Sequence, residues 1–295
     1  MAKIGIVTVL YNSEKVLDEF FESLESQTIK DIILYVVDNA SSDGGLKKVQ
    51  QLSKNISFKC KIIPESQNGG IAKGNNIGIR EALRDGCQYI LLSNNDIVLN
   101  DSYTLEKLLK RIEITNADII TPKIRKYSNP DEIWAAGGRF RFFGTKTQHI
   151  GANTKDTDKF NSEREIDYTP TCFVLIRRDV FDKVGLMDER FFVYFDDTDF
   201  IHRVKRSGHT IKYTPCTSIL HNESSSTGKM SYFKIYQLSK NQLIYTKKNF
   251  SKSIYFLLLL RNWVIHYTYH RIKFNKNQLE AEYTGLIDGM KIQIN

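Results

Sequence analysis

The stretch Tyr89–Leu99, YILLSNNDIVL, constrains this chain more than any other. Its apolar run from Tyr89 to Leu92 reads as a buried parallel strand. The run breaks into Ser93, Asn94, Asn95 and Asp96, then turns apolar again at Ile97, Val98 and Leu99. A buried strand that ends in polar groups delivers them to its carboxyl end, the edge of an open α/β sheet where ligands bind. On this reading Asp96 is a positioned carboxylate. The plainer alternative is an Asn-Asn-Asp turn.

The same pattern precedes it. Lys3–Leu10 (KIGIVTVL) reads as a first strand, followed by a loop at Tyr11, Asn12 and Ser13. Ser13 can cap a helix whose core face is Val16, Leu17, Phe20, Phe21 and Leu24. Ile32–Val37 is a second buried strand ending at Asp38, and Phe58–Ile63 a third, closed by Pro64. Strands alternating with helices predict a parallel sheet. At the end of its strand, Asp38 either accepts hydrogen bonds from a base or ribose or satisfies the turn's own amides. Gln67–Gly78 (QNGGIAKGNNIG) holds four glycines that let backbone amides approach a ligand, with Lys73 and a helix N-terminus adding positive charge. It is neither a P-loop nor a GxGxxG motif. The competing reading is a loop capping a helix whose inner face is Ile77, Ile79 and Leu83.

Farther along, Leu105–Ile114 predicts an amphipathic helix and Ala117–Thr121 a short strand. Between Pro122 and Asp167, aromatics and glycines (Trp134, Gly137, Gly138, Phe140, Phe142, Phe143, Gly144) suggest a hairpin, and residues 151–165 are polar and expected to be mobile. Thr171–Arg177 reads as a strand, and Asp179–Val184 as a short helix closed by Gly185. Then comes FFVYFDDTDF, residues 191–200. Asp196 fits a first helical turn and Asp199 pairs with Arg203 one turn on. Asp197 shares its helical stripe with Ile201 and Val204, which face the core, so its carboxylate points into a cleft or is costly. His209–Thr214 is a strand, with Ile219-Leu220-His221-Asn222 following. A lone histidine there is either structural or a ligand.

Taken together, Val9-Leu10-Tyr11-Asn12, Val37-Asp38-Asn39-Ala40-Ser41-Ser42-Asp43-Gly44, Asn68-Gly69-Gly70 with Asn75-Asn76-Ile77-Gly78, and Asn94-Asn95-Asp96 resemble a family 2 inverting glycosyltransferase of the bacterial rhamnosyltransferase-like group. The resemblance implies the GT-A fold: α/β, Rossmann-like, a mostly parallel central sheet flanked by helices, here with a C-terminal helical extension. It implies a nucleotide-sugar site drawn from Tyr11, Asn12, Asp38, Asn68, Gly69, Lys73, Asn75, Asn94, Asn95 and Asp96, with Asp38 on the base. Asp96 stands at the metal position of the family's DxD motif, whose first carboxylate is replaced by Asn94. His221 resembles the histidine that completes the metal site, and Ser224, Ser225, Ser226 and Thr227 are candidate phosphate-loop hydroxyls. Asp197 resembles the catalytic base, with Asp196 in place of the usual Glu. The implied cofactor is a divalent metal, Mn2+ or Mg2+, and the imidazole favours Mn2+. The implied reaction moves a sugar, rhamnose from dTDP-rhamnose first, onto a lipid-linked or oligosaccharide acceptor in bacterial surface polysaccharide synthesis. The alternatives are a UDP-sugar (galactose, glucose or N-acetylglucosamine) on the same scaffold, or an inactive nucleotide-binding homologue acting as a scaffold.

Charge divides the chain. Residues 1–225 contain 31 Lys/Arg and 31 Asp/Glu, whereas residues 226–295 contain 11 and 3, so the whole excess of +8 lies in the tail. The expected organisation is a glycosyltransferase domain over 1–225, with a nucleotide-sugar half (1–100) and an acceptor and catalytic half (101–225), followed by a basic helical extension over 226–295. The tail reads as helices over 230–250, 251–274 and 276–293. Its apolar run Ile254–Leu260 is too short to span a bilayer, but aromatics mixed with cations suit a membrane interface. Packing on the domain or on a second subunit, as a homodimer, is the other reading. No nucleic-acid motif is present. Met1–Leu10 lacks the features of a signal peptide, so the expected location is cytoplasmic, with peripheral contact at the inner face of the plasma membrane. Cys60, Cys87, Cys172 and Cys216 form no CxxC pair and read as reduced core cysteines.

Overall fold

The computed structural model describes residues 3–142, 144–223 and 231–294. Phe143 and the candidate hydroxyls Ser224, Ser225, Ser226 and Thr227 lie outside the described residues. The chain opens with β1 (Ile4–Leu10), α1 (Leu17–Glu25), β2 (Ile32–Asp38), α2 (Gly45–Leu52), β3 (Lys59–Pro64), α3 (Gly70–Arg84), β4 (Tyr89–Ser93) and β5 (Ile97–Val98). It continues with α4 (Thr104–Ile114), β6 (Ile119–Lys126), β7 (Glu132–Ala135), β8 (Gly138–Arg141), β9 (Lys146–His149), β10 (Thr154–Lys155), β11 (Arg164–Glu165), β12 (Phe173–Arg177), α5 (Arg178–Val184), α6 (Asp196–Arg206) and β13 (Ile211–His221). The tail holds α7 (Tyr232–Asn249), α8 (Lys252–Ile265), a π-helical turn (His266–His270), α9 (Arg271–Lys273) and α10 (Lys276–Lys291).

The central sheet runs β10-β7-β6-β12-β4-β1-β2-β3, with β13 beside β6. β3, β2, β1 and β4 are parallel; β12 enters antiparallel between β4 and β6. The register sets Leu10 opposite Asp38, so the carboxyl ends of β1 and β2 share one edge. The chain moves outward from β1 to β2 and β3, then returns to β4 on the other side. That reversal makes a crevice at the carboxyl edge. One core layer, with Phe20, Leu34 and Leu105, packs beneath α1, α2 and α4; a second, with Ile79, Val180 and Phe200, packs beneath α3, α5 and α6.

Several local expectations are corrected. Ser13 does not cap α1: its hydroxyl donates to the Tyr11 carbonyl (3.0 Å), and a 3-10 turn at Glu14–Val16 comes first. Of the expected inner face of α3, Ile79 is fully buried and Leu83 packs against the core, but the closest approach to β1 is made by glycines. Gly74 and Gly78 lie so close to Val9 and Val7 that a Cβ at either would overlap those side chains. Residues 151–165 are ordered: Asp156 and Asn161 hold the buried Lys123 ammonium at 2.9 and 2.7 Å, and Phe160 enters the core. Cys216 is exposed, not a core residue. β13 does not stop at Thr214. It passes Pro215 in a bulge between Thr214 and Ser218 and ends on His221.

Candidate active site

At the carboxyl edge the loops after β1 and β2 are tied together by Asn12. Its backbone has φ +50°, and its Oδ1 accepts the Ser42 and Asp43 N–H groups (2.8 and 3.3 Å). Tyr11 beside it is about half exposed. Asp38 is buried, yet its two carboxylate oxygens have only long hydrogen bonds from the Ser41 N–H, 3.3 and 3.4 Å. Neighbouring Asn39 donates to the Gly70 carbonyl (3.0 Å), and its Oδ1 is buried without a partner among the described residues. Asn68 caps the Gly70 N–H (2.9 Å), and Lys73 stands 3.8 Å from Glu65, whose own N–H donates to the Asp38 carbonyl. Asp38, Asn68, Gly69 and Lys73 therefore surround one end of the crevice. Asn75 faces elsewhere: its amide donates to the Met187 sulfur at 3.7 Å. Asn94 is exposed, while Asn95 donates to the Val9 carbonyl (3.0 Å) and braces β1.

Asp96 meets His221 because β5 and β13 pair antiparallel, with His221 opposite Ile97 and the Asn222 N–H on the Asp96 carbonyl (2.8 Å). Asp96 Oδ1 lies 3.3 Å from His221 Nε2, but among the described residues it is buried with no hydrogen-bond partner, as is His221 Nδ1. Trp134 sits edge-on to the imidazole, ring centroids 4.5 Å apart. Adjacent ligands of a six-coordinate ion with bonds of about 2.1 Å lie roughly 3 Å apart. An orphaned carboxylate oxygen and an imidazole nitrogen at 3.3 Å fit that spacing. Among the described residues no group of three or more His, Cys, Asp and Glu side chains is placed to hold a metal.

Asp197 is carried by the first turn of α6, just after two left-handed residues, Tyr194 (φ +64°) and Phe195 (φ +66°). Such backbone is costly for non-glycine residues and persists only when it is held. Asn241 of α7 holds it, donating to the carbonyls of Val193 and Tyr194 (2.8 and 3.0 Å). Asp197 accepts hydrogen bonds from the Tyr168 hydroxyl and the Thr198 N–H. It lines a cavity of about 620 Å³ whose other walls are Tyr168, Thr147 and the tail helices α7, α8 and α10. Asp196 is buried, and burial followed by the charge of Asp197 pushes its carboxyl up to about 8. Asp199 is fully buried and is held by Arg203 (2.9 Å), Lys248 (2.8 Å) and Asn249 (2.9 Å).

Cys172 is a buried thiol pushed well up by burial and then by the charges of Asp96 and Asp197. His149 lies between Asp197 and His221. Burial draws its imidazole below the ordinary value, with Asp197 pulling upward and His221 downward. Its ring stacks on Tyr168 at 6.0 Å and packs on Trp134 at 4.5 Å. Sequence reasoning missed Tyr168 and His149. Neither lies in a motif, and only the β8–β9 hairpin and the turn before β12 bring them to Asp197. A chain of ring contacts thus links the Asp96–His221 pair, through Trp134, His149 and Tyr168, to Asp197 and the cavity it shares with the tail.

Known proteins match this chain. The sequence model described as "Glycosyl transferase family 2" matches residues 5–185. The low-salt glycan biosynthesis hexosyltransferase Agl10 of Haloferax volcanii is 24% identical over 85% of this chain and 78% of its own length. The dTDP-rhamnosyl transferase RfbF of Shigella flexneri is 23% identical over 97% and 96%. Among solved structures, the mannosyltransferase PcManGT of Pyrobaculum calidifontis, in complex with GDP-Man and Mn2+, superposes with a TM-score of 0.58 at 10% identity, covering 98% of this chain and 86% of that one. That likeness shows the GT-A fold.

Proposed function

The chain belongs to glycosyl transferase family 2 and is a hexosyltransferase, and from that premise we propose that it transfers rhamnose from dTDP-rhamnose to a hydroxyl of a lipid-linked or saccharide acceptor in surface polysaccharide synthesis. The end-to-end similarity to a dTDP-rhamnosyl transferase supports the donor. The observations that carry the mechanism are the Asp96–His221 pair, 3.3 Å apart, and Asp197, which opens on the cavity and accepts from Tyr168.

Tyr11, Asp38, Asn68 and Lys73 would cradle the nucleoside at the carboxyl edge. Asp96 and His221 would hold a divalent cation, Mn2+ or Mg2+, which when bound supplies charge against the growing negative charge of the leaving diphosphate. Asp197 takes the proton of the acceptor hydroxyl as that oxygen attacks the anomeric carbon from the face opposite the nucleotide, inverting it. Tyr168 and Thr198 orient the carboxylate for this transfer. The +8 charge of the tail and the exposed apolar face of α8 support peripheral contact with an anionic membrane. Among the described residues no helix is long and apolar enough to cross one.

The test is a donor screen. Purified protein with Mn2+ or Mg2+ is offered dTDP-, UDP- and GDP-sugars, and donor binding is followed by calorimetry and nucleoside diphosphate release by a coupled assay. Selective binding and turnover of dTDP-rhamnose, weakened by chelator, is the expected result. Selection of a UDP- or GDP-sugar would overturn the donor assignment, and metal-independent turnover would remove the metal.

A further inference from the structure

Trp134 and Gly138, which the sequence singles out, have no role in the proposed transfer, yet they build a stack of rings behind Asp197. Gly138 lies in β8 between two partners. His149 stands opposite it in β9, and Tyr168 bridges to it from the other side, donating its N–H to the Gly138 carbonyl at 3.2 Å. Residues directly opposite each other in antiparallel strands carry their side chains on the same face. Gly138 has no side chain to put between its partners, and a Cβ there would lie 2.5 Å from the Tyr168 ring. The His149 and Tyr168 rings therefore close over the glycine, 18° from parallel. Trp134 packs on His149 and also on His221, with 4.5 Å between ring centroids in each case. Phe140 meets Tyr168 edge-on at 5.6 Å. Burial draws the His149 imidazole below its ordinary value, so near neutral pH it packs as an uncharged ring.

We infer that His149 is a positioning residue for the transfer: its ring, seated on Trp134 and closed over Gly138, keeps the Tyr168 hydroxyl on Asp197. A phenol free to turn about its side-chain torsions could leave the carboxylate. One packed against rings gives up those contacts to do so. A hydroxyl donated to a carboxylate also favours its charged form, the form that can receive the acceptor's proton. The inference rests on the transferase reading of Asp197 and adds a residue that acts on it through Tyr168.

The experiment is a pH titration of the full chain, without donor, acceptor or metal, followed through the carbon-13 resonance of the Asp197 carboxyl and assigned by its loss in Asp197→Asn. Tyr168→Phe should raise the pH at which Asp197 takes up its proton by about one unit, as expected for a lost hydrogen bond to a charged group. His149→Ala should raise it by about half a unit, the worth of one ring pair. The Tyr168→Phe/His149→Ala double variant should rise no further than Tyr168→Phe alone, because the two residues act in series. His149→Phe, which keeps a ring in place, should titrate with wild type. Should His149→Ala fail to fold, His149→Gln removes the ring at similar volume and carries the same expectation. Other charged or titratable groups around Asp197 (Asp196, Cys172, Lys146, Arg261, His270 and Glu282) are the same in every variant. A Tyr168→Phe or His149→Ala protein that titrates with wild type, rises that add in the double variant, or a His149→Phe protein that behaves as His149→Ala overturns the inference. No turnover is read, so this result and the donor screen stand or fall separately.

Discussion

Asp196 and Asp197 are adjacent on one helical turn in opposite surroundings. Asp197 faces the cavity and accepts from a tyrosine and a threonine, whereas Asp196 is shut away and kept protonated. Burial thus sets Asp196 aside as a neutral neighbour of the residue that faces the cavity. A stability signature follows. An unfolded Asp loses its proton near pH 4, but folded Asp196 keeps its proton up to about 8. Between those values the native state binds the extra proton, so this residue's contribution to stability falls as pH rises and is fully lost above about pH 8. Urea unfolding at pH 5 and pH 8 should therefore show Asp196→Asn gaining on wild type at the higher pH; curves displaced equally at both would contradict the assignment. Asp197 and Asp199 were legible in the sequence because helical spacing separates a carboxylate on a core stripe from one with an Arg four residues on. Tyr168 was not, because its contact with Asp197 is made across 29 residues of chain.

At the scale of elements, β1, β2 and β4 could be read directly, since each is a run of apolar residues closed by a turn. What could not be read was how backbone meets backbone. Gly70 begins α3 with φ +86°, and a Cβ there would lie 2.3 Å from the Phe192 carbonyl oxygen, which accepts the Ile71 N–H at 2.7 Å. Gly70→Ala should destabilise the protein by about 1–3 kcal/mol, the cost of a strained residue, and weaken donor binding, since the helix start and the Asp197 segment are fixed by one contact. A thermal melt and donor calorimetry check both. The continuation of β13 to His221 was also hidden, because Pro215 reads as a strand end unless a bulge absorbs it. Asn241 belongs with these contacts. Asn241→Leu leaves the Val193 and Tyr194 carbonyls without their donor, an expected loss of about 1–3 kcal/mol, and kcat should fall further than donor affinity. Steady-state kinetics beside calorimetry would show this, and an unchanged kcat would mean α7 does not hold the catalytic turn.

For the whole molecule, the tail walls the cavity that Asp197 faces. The sequence expectation of a neutral body with a basic appendage describes the charge correctly, but α7, α8 and α10 line the same cavity as Asp197, and Lys248 and Asn249 reach Asp199. No periodicity in a single sequence announces such docking, because its contacts, the apolar cluster of Phe191, Ile244 and Tyr245 and the polar grip on Asp199, join residues far apart in the chain. The other side of α8 carries Phe256, Leu257, Leu260 and Val264, all exposed at helical spacing. Leu257→Asp/Leu260→Asp should abolish co-sedimentation with vesicles containing anionic lipid, and wild-type binding should weaken as salt rises; binding by the variant equal to wild type would leave that face without its proposed role. The account as a whole turns on Asp197. Its most direct test is Asp197→Asn, with transfer to acceptor and donor affinity measured on the same preparation. The account predicts a fall in kcat of roughly 10²–10⁴, the usual worth of a general base, with donor affinity unchanged. Transfer at the wild-type rate by this variant would contradict it.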